Sequence, residues 1–254
     1  MNSSARPTIV LVHGSFADAS GFNDVIERLQ ARGYATIAPS NPLRTLVTDA
    51  AYVRSVLDTI DGPVVLVAHS YGGMVITNAA TGHPDVEALV YINGFAPAEG
   101  EAAFDLAYKF PGSMLTPDHL TVRPYPTTDA AQSGQEAYIN ADVFREAFAA
   151  DVDPGATAAM AATQRPIDLT SLQQPSGPPA WQAIPSWFVI GRDDHTIPAE
   201  LHRYMAERAG AVRTVELAGS HVVMMSRPAD VVDVIVEAAQ ARRDVRAFAV
   251  SATS

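Results

Sequence analysis

The stretch VVLVAHSYGGMVITNAA, residues 64–80, most constrains what this chain can fold into. It opens with apolar, β-prone residues (64–68) that run without alternation, as in a strand covered on both faces. A helical pattern over 71–81 follows almost at once. Passing from a buried strand into a helix through so few residues needs a sharp, strained turn. The turn places a hydroxyl, Ser70, between His69 and Tyr71, with Gly72 and Gly73 behind it.

Strand-like and helix-like segments alternate toward both ends of the chain. TIVLV (8–12), ATIAP (35–39) and VEALVYIN (86–93) read as strands, and 22–33 and 44–62 as helices that stop at glycines. The alternation resumes with a strand at 186–191, a helix at 198–210, a strand at 212–217 and a helix at 228–243. This pattern means βαβ units and a mostly parallel sheet flanked by helices, an α/β fold. Between 96 and 184 the character changes. Prolines cluster there and the helical pieces are short, the clearest being 142–152 with Phe144 and Phe148 on one face. This segment is expected to be an inserted, mainly helical cap over a core made of 1–95 and 185–254. QQPSGPP (173–179) is its return linker. The tail 247–254 is small and unpatterned, and is expected to fray.

Composition narrows the chemistry. A net charge of −11 with a pI near 4.9 repels phosphate backbones, so no nucleic-acid partner is expected. The absence of cysteine excludes disulfides, thiolate metal sites and a cysteine nucleophile. The start MNSSARPTIVLV has no cationic leader before a long apolar run. No apolar run approaches the ~20 residues of a membrane span. A cytoplasmic protein without a membrane partner is therefore expected, with a homodimer as an open possibility. No H-E-x-x-H-type spacing and no G-x-G-x-x-G or G-K-[ST] loop occurs, so neither metal nor cofactor is expected.

AHSYG (68–72) is a variant of the nucleophile elbow G-x-S-x-G, with Ala68 in place of the first glycine. The positions two before and two after the serine are expected to crowd each other, which is why both must be small. Gly73 is expected to let the next helix pack closely. A serine nucleophile needs a base, and the base needs an orienting acid. His221 follows the last strand, and VIGRDDHTIP places Asp193 and Asp194 after the strand before it. In a parallel sheet all these loops share one edge, and the chain order Ser70, acid, His221 is the one this architecture uses.

From VLVHGSF through AHSYGG and VIGRDDHTIP to GSHVVMMSRP, the sequence resembles the α/β-hydrolase superfamily. It is most similar there to the small serine carboxylesterases related to salicylate-type esterases and hydroxynitrile lyases. The resemblance implies Asp194 as the acid, in the G-x-x-D-x-x-[IV]-P pattern that runs from Gly191 to Pro198. Asp193 is then a solvated loop acid. Asn93 occupies a position where some relatives carry the acid, and cannot serve as one. The resemblance also implies an oxyanion hole from the N–H groups of Tyr71 and Ser15, with Phe16 as the alternative to Ser15. His13 is expected to support that loop, His69 to be a satisfied core histidine pointing away from Ser70, and His83, His119, His195 and His202 to lie at the surface. The cap's apolar residues include Phe104, Tyr108 and Leu115. Phe16, Phe144, Phe148 and Met224 are expected to line a pocket for a small, largely apolar ester. Hydroxynitrile lyases of the group carry Thr where this chain has Gly14, and Lys where it has Val222. A hydrolase-fold signal receptor with residual turnover is the other alternative.

Overall fold

The sheet follows the alternation. In a computed structural model, which describes residues 6–129 and 132–251, the chain runs β1 (Thr8–Val12), α1 (Asn23–Ala31), β2 (Thr36–Ile37), α2 (Leu46–Leu57), β3 (Val64–His69), α3 (Gly72–Ala79) and β4 (Val86–Ile92). The middle holds α4 (Ala103–Ala107), β5 (Leu120–Pro126), β6 (Ser133–Ile139), α5 (Ala141–Phe148), α6 (Pro154–Thr163), β7 (Ile167–Asp168) and α7 (Leu169–Gln173). β8 (Ser186–Gly191), α8 (Ala199–Arg208), β9 (Arg213–Leu217), α9 (Val223–Ser226) and α10 (Pro228–Ser251) complete it.

Six strands pair in the order β2-β1-β3-β4-β8-β9, and every pair is parallel. All residues of β3, β4 and β8 are buried, so both faces of the central strands are covered. α10 lies on β3, β4 and β8 and packs on α1, while α3 lies on β1 and β3 and packs on α2. This burial explains the unbroken apolar runs. β2 is shorter than ATIAP suggests because it forms the sheet's edge and Pro39 has no N–H to pair.

The segment between β4 and β8 contains the helix expected over 142–152, which ends already at Phe148, and also a sheet that the sequence reading missed. β5, β6 and β7 form an antiparallel sheet in that order, with Leu120 opposite Ile139 and Pro126 opposite Ser133. Pro124 and Pro126 read as strand breakers, yet β5 is an edge strand, where a missing N–H costs no ladder bond. The two ends of the insertion are tied together: Gly100 N–H donates to Ser176 C=O at 2.8 Å and Ser176 N–H to Glu101 C=O at 2.9 Å. The expected frayed tail is also corrected. α10 continues to Ser251, since neither Gly nor Pro interrupts it after Pro228. Residues 252–254 lie outside the described residues. No helix among the described residues is long and apolar enough to cross a membrane.

Candidate active site

Ser70 sits between β3 and α3 with φ 57°, the strained left-handed backbone that a strand-to-helix turn imposes. Its carbonyl accepts from Gly73 N–H at 2.9 Å and Phe95 N–H at 3.1 Å, which fixes the turn. The glycines around it are required for a different reason from the expected one. A Cβ on Gly72 would lie 2.5 Å from Val12 O, so Gly72 crowds the end of β1 rather than Ala68. A Cβ on Gly73 would collide with the Phe95 backbone, in the loop after β4. A Cβ on Gly14 would come within 2.5 Å of Ser70 Cβ and 3.0 Å of Ser70 Oγ, so the loop after β1 rests against the hydroxyl.

That loop is held from behind. His13 Nδ1–H donates to Gly14 C=O at 2.9 Å, and Nε2 accepts from Asn41 N–H at 3.0 Å, with Arg165 Nη1 at 3.3 Å. Burial pushes His13 down to about 4, so it supports the loop as a neutral ring. Phe16, at φ 60°, donates its N–H to Arg165 C=O at 2.9 Å. This removes Phe16 as an oxyanion donor. The amides of Ser15 and Tyr71 make no hydrogen bond among the described residues.

Asp194 and His221 meet at the same sheet edge. His221 Nδ1 lies 2.7 Å from Asp194 Oδ2, with both side chains fully buried. Asp194 Oδ1 accepts from Thr196 N–H and Ile197 N–H at 2.8 Å each, and His202 Nε2 stands 3.2 Å from Oδ2. Burial alone would raise the Asp194 carboxyl. The charge of His221 and the hydrogen bonds from His202 and His221 outweigh it and hold Asp194 below the usual carboxylate range. Asp193 is exposed, as a solvated loop acid should be. His221 Nε2 is buried and has no hydrogen-bond partner among the described residues.

Asn93 does more than leave an acid position empty. Its Nδ2 donates to the carbonyls of Ser220 and His221 at 2.9 Å each, while Oδ1 accepts from Gly191 N–H at 2.6 Å. It therefore ties the end of β8 to the His221 loop. Nothing in the sequence pattern marks this role, because the amide acts on backbone groups nearly a hundred or more positions away.

A cavity of about 190 Å³ opens beside Ser70, lined by Ser15, Phe16 and Tyr71 on the core side. Phe104, Tyr108 and Leu115, from among the cap's apolar residues, line its other side. Phe95, Leu169 and Leu172 also line it and were not anticipated. Three pocket expectations are corrected. Phe144 and Phe148 are fully buried and do not line the cavity, because α5 turns that face inward, where Phe148 meets His221 at 5.0 Å and His69 at 6.2 Å between ring centroids. Met224 lines a smaller hollow that shares Phe16 with the cavity, together with Met160 and Met225.

Residues 9–234 match the Alpha/beta hydrolase family. The chain belongs to that family. A pyrethroid hydrolase of Sphingobium wenxiniae is 28% identical over 262 residues, covering 96% of this chain and 91% of that protein. Methylesterase 8 of Arabidopsis thaliana is 23% identical over 236 residues, covering 86% of this chain and 84% of that protein. Among solved structures, polyneuridine aldehyde esterase superposes with a TM-score of 0.78 at 18% identity, over 92% of this chain and 99% of that one. The pyrethroid hydrolase PytH does so with a TM-score of 0.74 at 23% identity, over 93% and 98%. These superpositions establish the fold.

Within this alpha/beta hydrolase, three histidines depart from expectation. His69 does not point away from the site: Nε2 meets His221 C=O at 2.9 Å and the two rings lie 4.5 Å apart. Its Nδ1 is buried without a partner among the described residues, so it is only half satisfied. Burial and the neighbouring His221 charge keep it well below the ordinary imidazole value. His202 is buried against Asp194 because α8 turns it inward, and His83 is buried in its own turn, accepting from Asp85 N–H at 3.2 Å. His119 is half-buried, its Nδ1 2.6 Å from Met114 C=O, and His195 is exposed as expected. No cluster of side chains suited to a metal occurs among the described residues.

Proposed function

We propose that this protein is a serine ester hydrolase acting on a small, neutral, largely apolar ester through an acyl-enzyme. The observation that carries the reading is the Asp194–His221 pair. Oδ2 holds Nδ1 at 2.7 Å, which fixes the ring so that Nε2 is the nitrogen left to take a proton. Catalytic hydrogen bonds of the nucleophile to the base often tighten only when substrate is bound.

Ser70 Oγ attacks the ester carbonyl carbon, and its proton passes to His221 Nε2. The carbonyl oxygen becomes an oxyanion and accepts from the N–H groups of Ser15 and Tyr71. The imidazolium is stabilised by Asp194, which stays ionised. Collapse of the tetrahedral intermediate breaks the bond to the alcohol oxygen, and the alcohol leaves with the proton from His221. Water, deprotonated by His221, then attacks the acyl-enzyme and releases the acid with Ser70 restored.

The cavity limits the acyl group. A dry hollow of about 150 Å³ accepts one benzene ring, so about 190 Å³ takes one ring or a short chain. Among the described residues no Asp, Glu, Lys, Arg or His lines it, so none of them pairs a charged acyl group there. The names of the relatives, a pyrethroid hydrolase and a methylesterase, support ester hydrolysis in general. A lyase reading gains nothing, since a Cβ at residue 14 would strike Ser70 and Val222 is a buried apolar residue. Turnover of p-nitrophenyl esters of rising acyl length tests the proposal. Multiple turnover that peaks at short or single-ring acyl groups supports it; a stoichiometric burst that stalls on every ester overturns it.

A further inference from the structure

We infer that His202 is a positioning residue for the catalytic acid: by holding Asp194 Oδ2 together with His221, it fixes the carboxylate's orientation and moderates its pull on the base. This inference rests on the ester-hydrolase reading above and adds to it a second histidine on the acid.

An ionised carboxylate has about four acceptor sites, two on each oxygen. Asp194 uses all of them. Oδ1 takes the amides of Thr196 and Ile197 at 2.8 Å each, and Oδ2 takes His221 Nδ1 at 2.7 Å and His202 Nε2 at 3.2 Å. The two amides belong to the acid's own loop, and His221 to the loop after β9. His202 alone brings in α8, a packed element that rests on β8. The carboxylate is thereby tied to its own loop, to the loop after β9 and to α8. His202 is 1% exposed, so solvent does not substitute for its N–H.

The sharing also has an electronic consequence. Two donors on one oxygen each receive less electron density than one donor alone. His202 therefore weakens the acid's grip on the imidazolium without breaking it. Removing that donor leaves Oδ2 to His221 alone, favours the protonated base, and moves the ascending limb of kcat/KM to higher pH. The other groups facing this pair are His69 from β3, whose ring lies 4.5 Å from His221, and Asp151 after α5, whose Oδ2 accepts from Ser220 N–H at 3.1 Å. Arg192, Asp193 and His195 in the acid's loop are exposed, and Glu200 and Arg203, the charged neighbours on α8, pair with each other at 3.2 Å. None of these reaches Asp194 Oδ2.

The test compares His202→Leu with His202→Gln in the full chain, since a glutamine amide still donates. His202→Leu should lower kcat about ten- to a hundredfold, the span covered by loss of a hydrogen bond to a charged group. KM should stay near the wild-type value, and the ascending limb should shift to higher pH. His202→Gln should restore both kcat and the limb. A spectroscopic reading needs no turnover: the downfield proton resonance of His221 Nδ1–H should move in the leucine variant and stay in place in the glutamine variant. A leucine variant with lower melting temperature but unmoved resonance and limb would overturn the inference, as would a glutamine variant that behaves like leucine. Failure of the ester-hydrolase reading is recognised separately, as equal ester turnover by wild type and Ser70→Ala.

Discussion

Phe148 presents its ring to His221 at 61° and 5.0 Å between centroids, and both side chains are fully buried. An aromatic ring at this distance and inclination packs against the imidazole edge-on. α5 thus packs against His221 from the insertion, although it contributes nothing to the cavity wall. Phe148→Ala should destabilise the protein by about 3–5 kcal/mol, as buried Phe truncations do. The ratio of kcat/KM between short-chain and bulky acyl esters should stay nearly flat. Thermal denaturation and a two-ester comparison check this. A changed ratio with an unchanged melting temperature would return Phe148 to the pocket.

Ser70 should be the residue that a fluorophosphonate probe labels, once per chain, and Ser70→Ala should abolish the label. Loss of the nucleophile should cost roughly 10⁴–10⁶ in kcat. Retention of more than about a tenth of the wild-type activity would exclude a Ser70 acyl-enzyme.

The adjacent acids should separate cleanly. Asp194→Asn should lower kcat by on the order of 10²–10⁴, because an amide that donates toward Nδ1 favours the wrong tautomer of His221. Asp193→Asn should cost less than about tenfold, because Asp193 is exposed and lies outside the hydrogen bonds to the base. The opposite ranking, measured on one ester, would transfer the role.

Stability should fall in mild acid through buried neutral histidines. His13 is pushed down to about 4 chiefly by burial, and His69 is held lower than usual for the same reason. Between about pH 6.5 and 4 the unfolded chain therefore binds a proton at His13 that the folded chain refuses. Stability is present in full above that window and is lost as pH falls through it. One such group corresponds to about 3 kcal/mol. Denaturant titrations at several pH values should show this slope, and His13→Gln should reduce it. An unchanged slope would mean that His13 accepts its proton without unfolding.

The sheet, and the placing of Ser70, Asp194 and His221 just after β3, β8 and β9, were legible in the sequence because each depends on a local rule. Largely apolar runs specify β3, β4 and β8, the small-residue pattern around Ser70 specifies the turn, and strand ends place Asp194 and His221 on one edge. The missed features depend on what a face meets across space. Phe144 and Phe148 share a helical face by spacing, but spacing does not tell whether that face meets a cavity or His221. His202 follows Asp194 by eight residues, across the change from loop to α8, so no single periodicity relates them. β5 was hidden by its prolines, whose meaning changes between a central and an edge strand.

The absence of charge around the cavity should appear directly in substrate choice. The lining among the described residues is made of apolar and neutral polar side chains, with Leu172 half-buried among them. A butyrate ester places only methylenes there. A succinate monoester of the same alcohol places a carboxylate at the end of a chain of similar length, and must either strip its water without a partner or stay outside. An unpaired charge is far more costly to bury than a neutral polar group, so kcat/KM for the succinate ester should be lower by at least about a hundredfold. Leu172→Arg should narrow that gap by supplying a guanidinium, while leaving Ser70 labelling by the fluorophosphonate intact. Equal rates for the two esters in the wild-type protein would show that the acyl group does not enter this cavity, and a gap unchanged by Leu172→Arg would place the acyl chain away from Leu172.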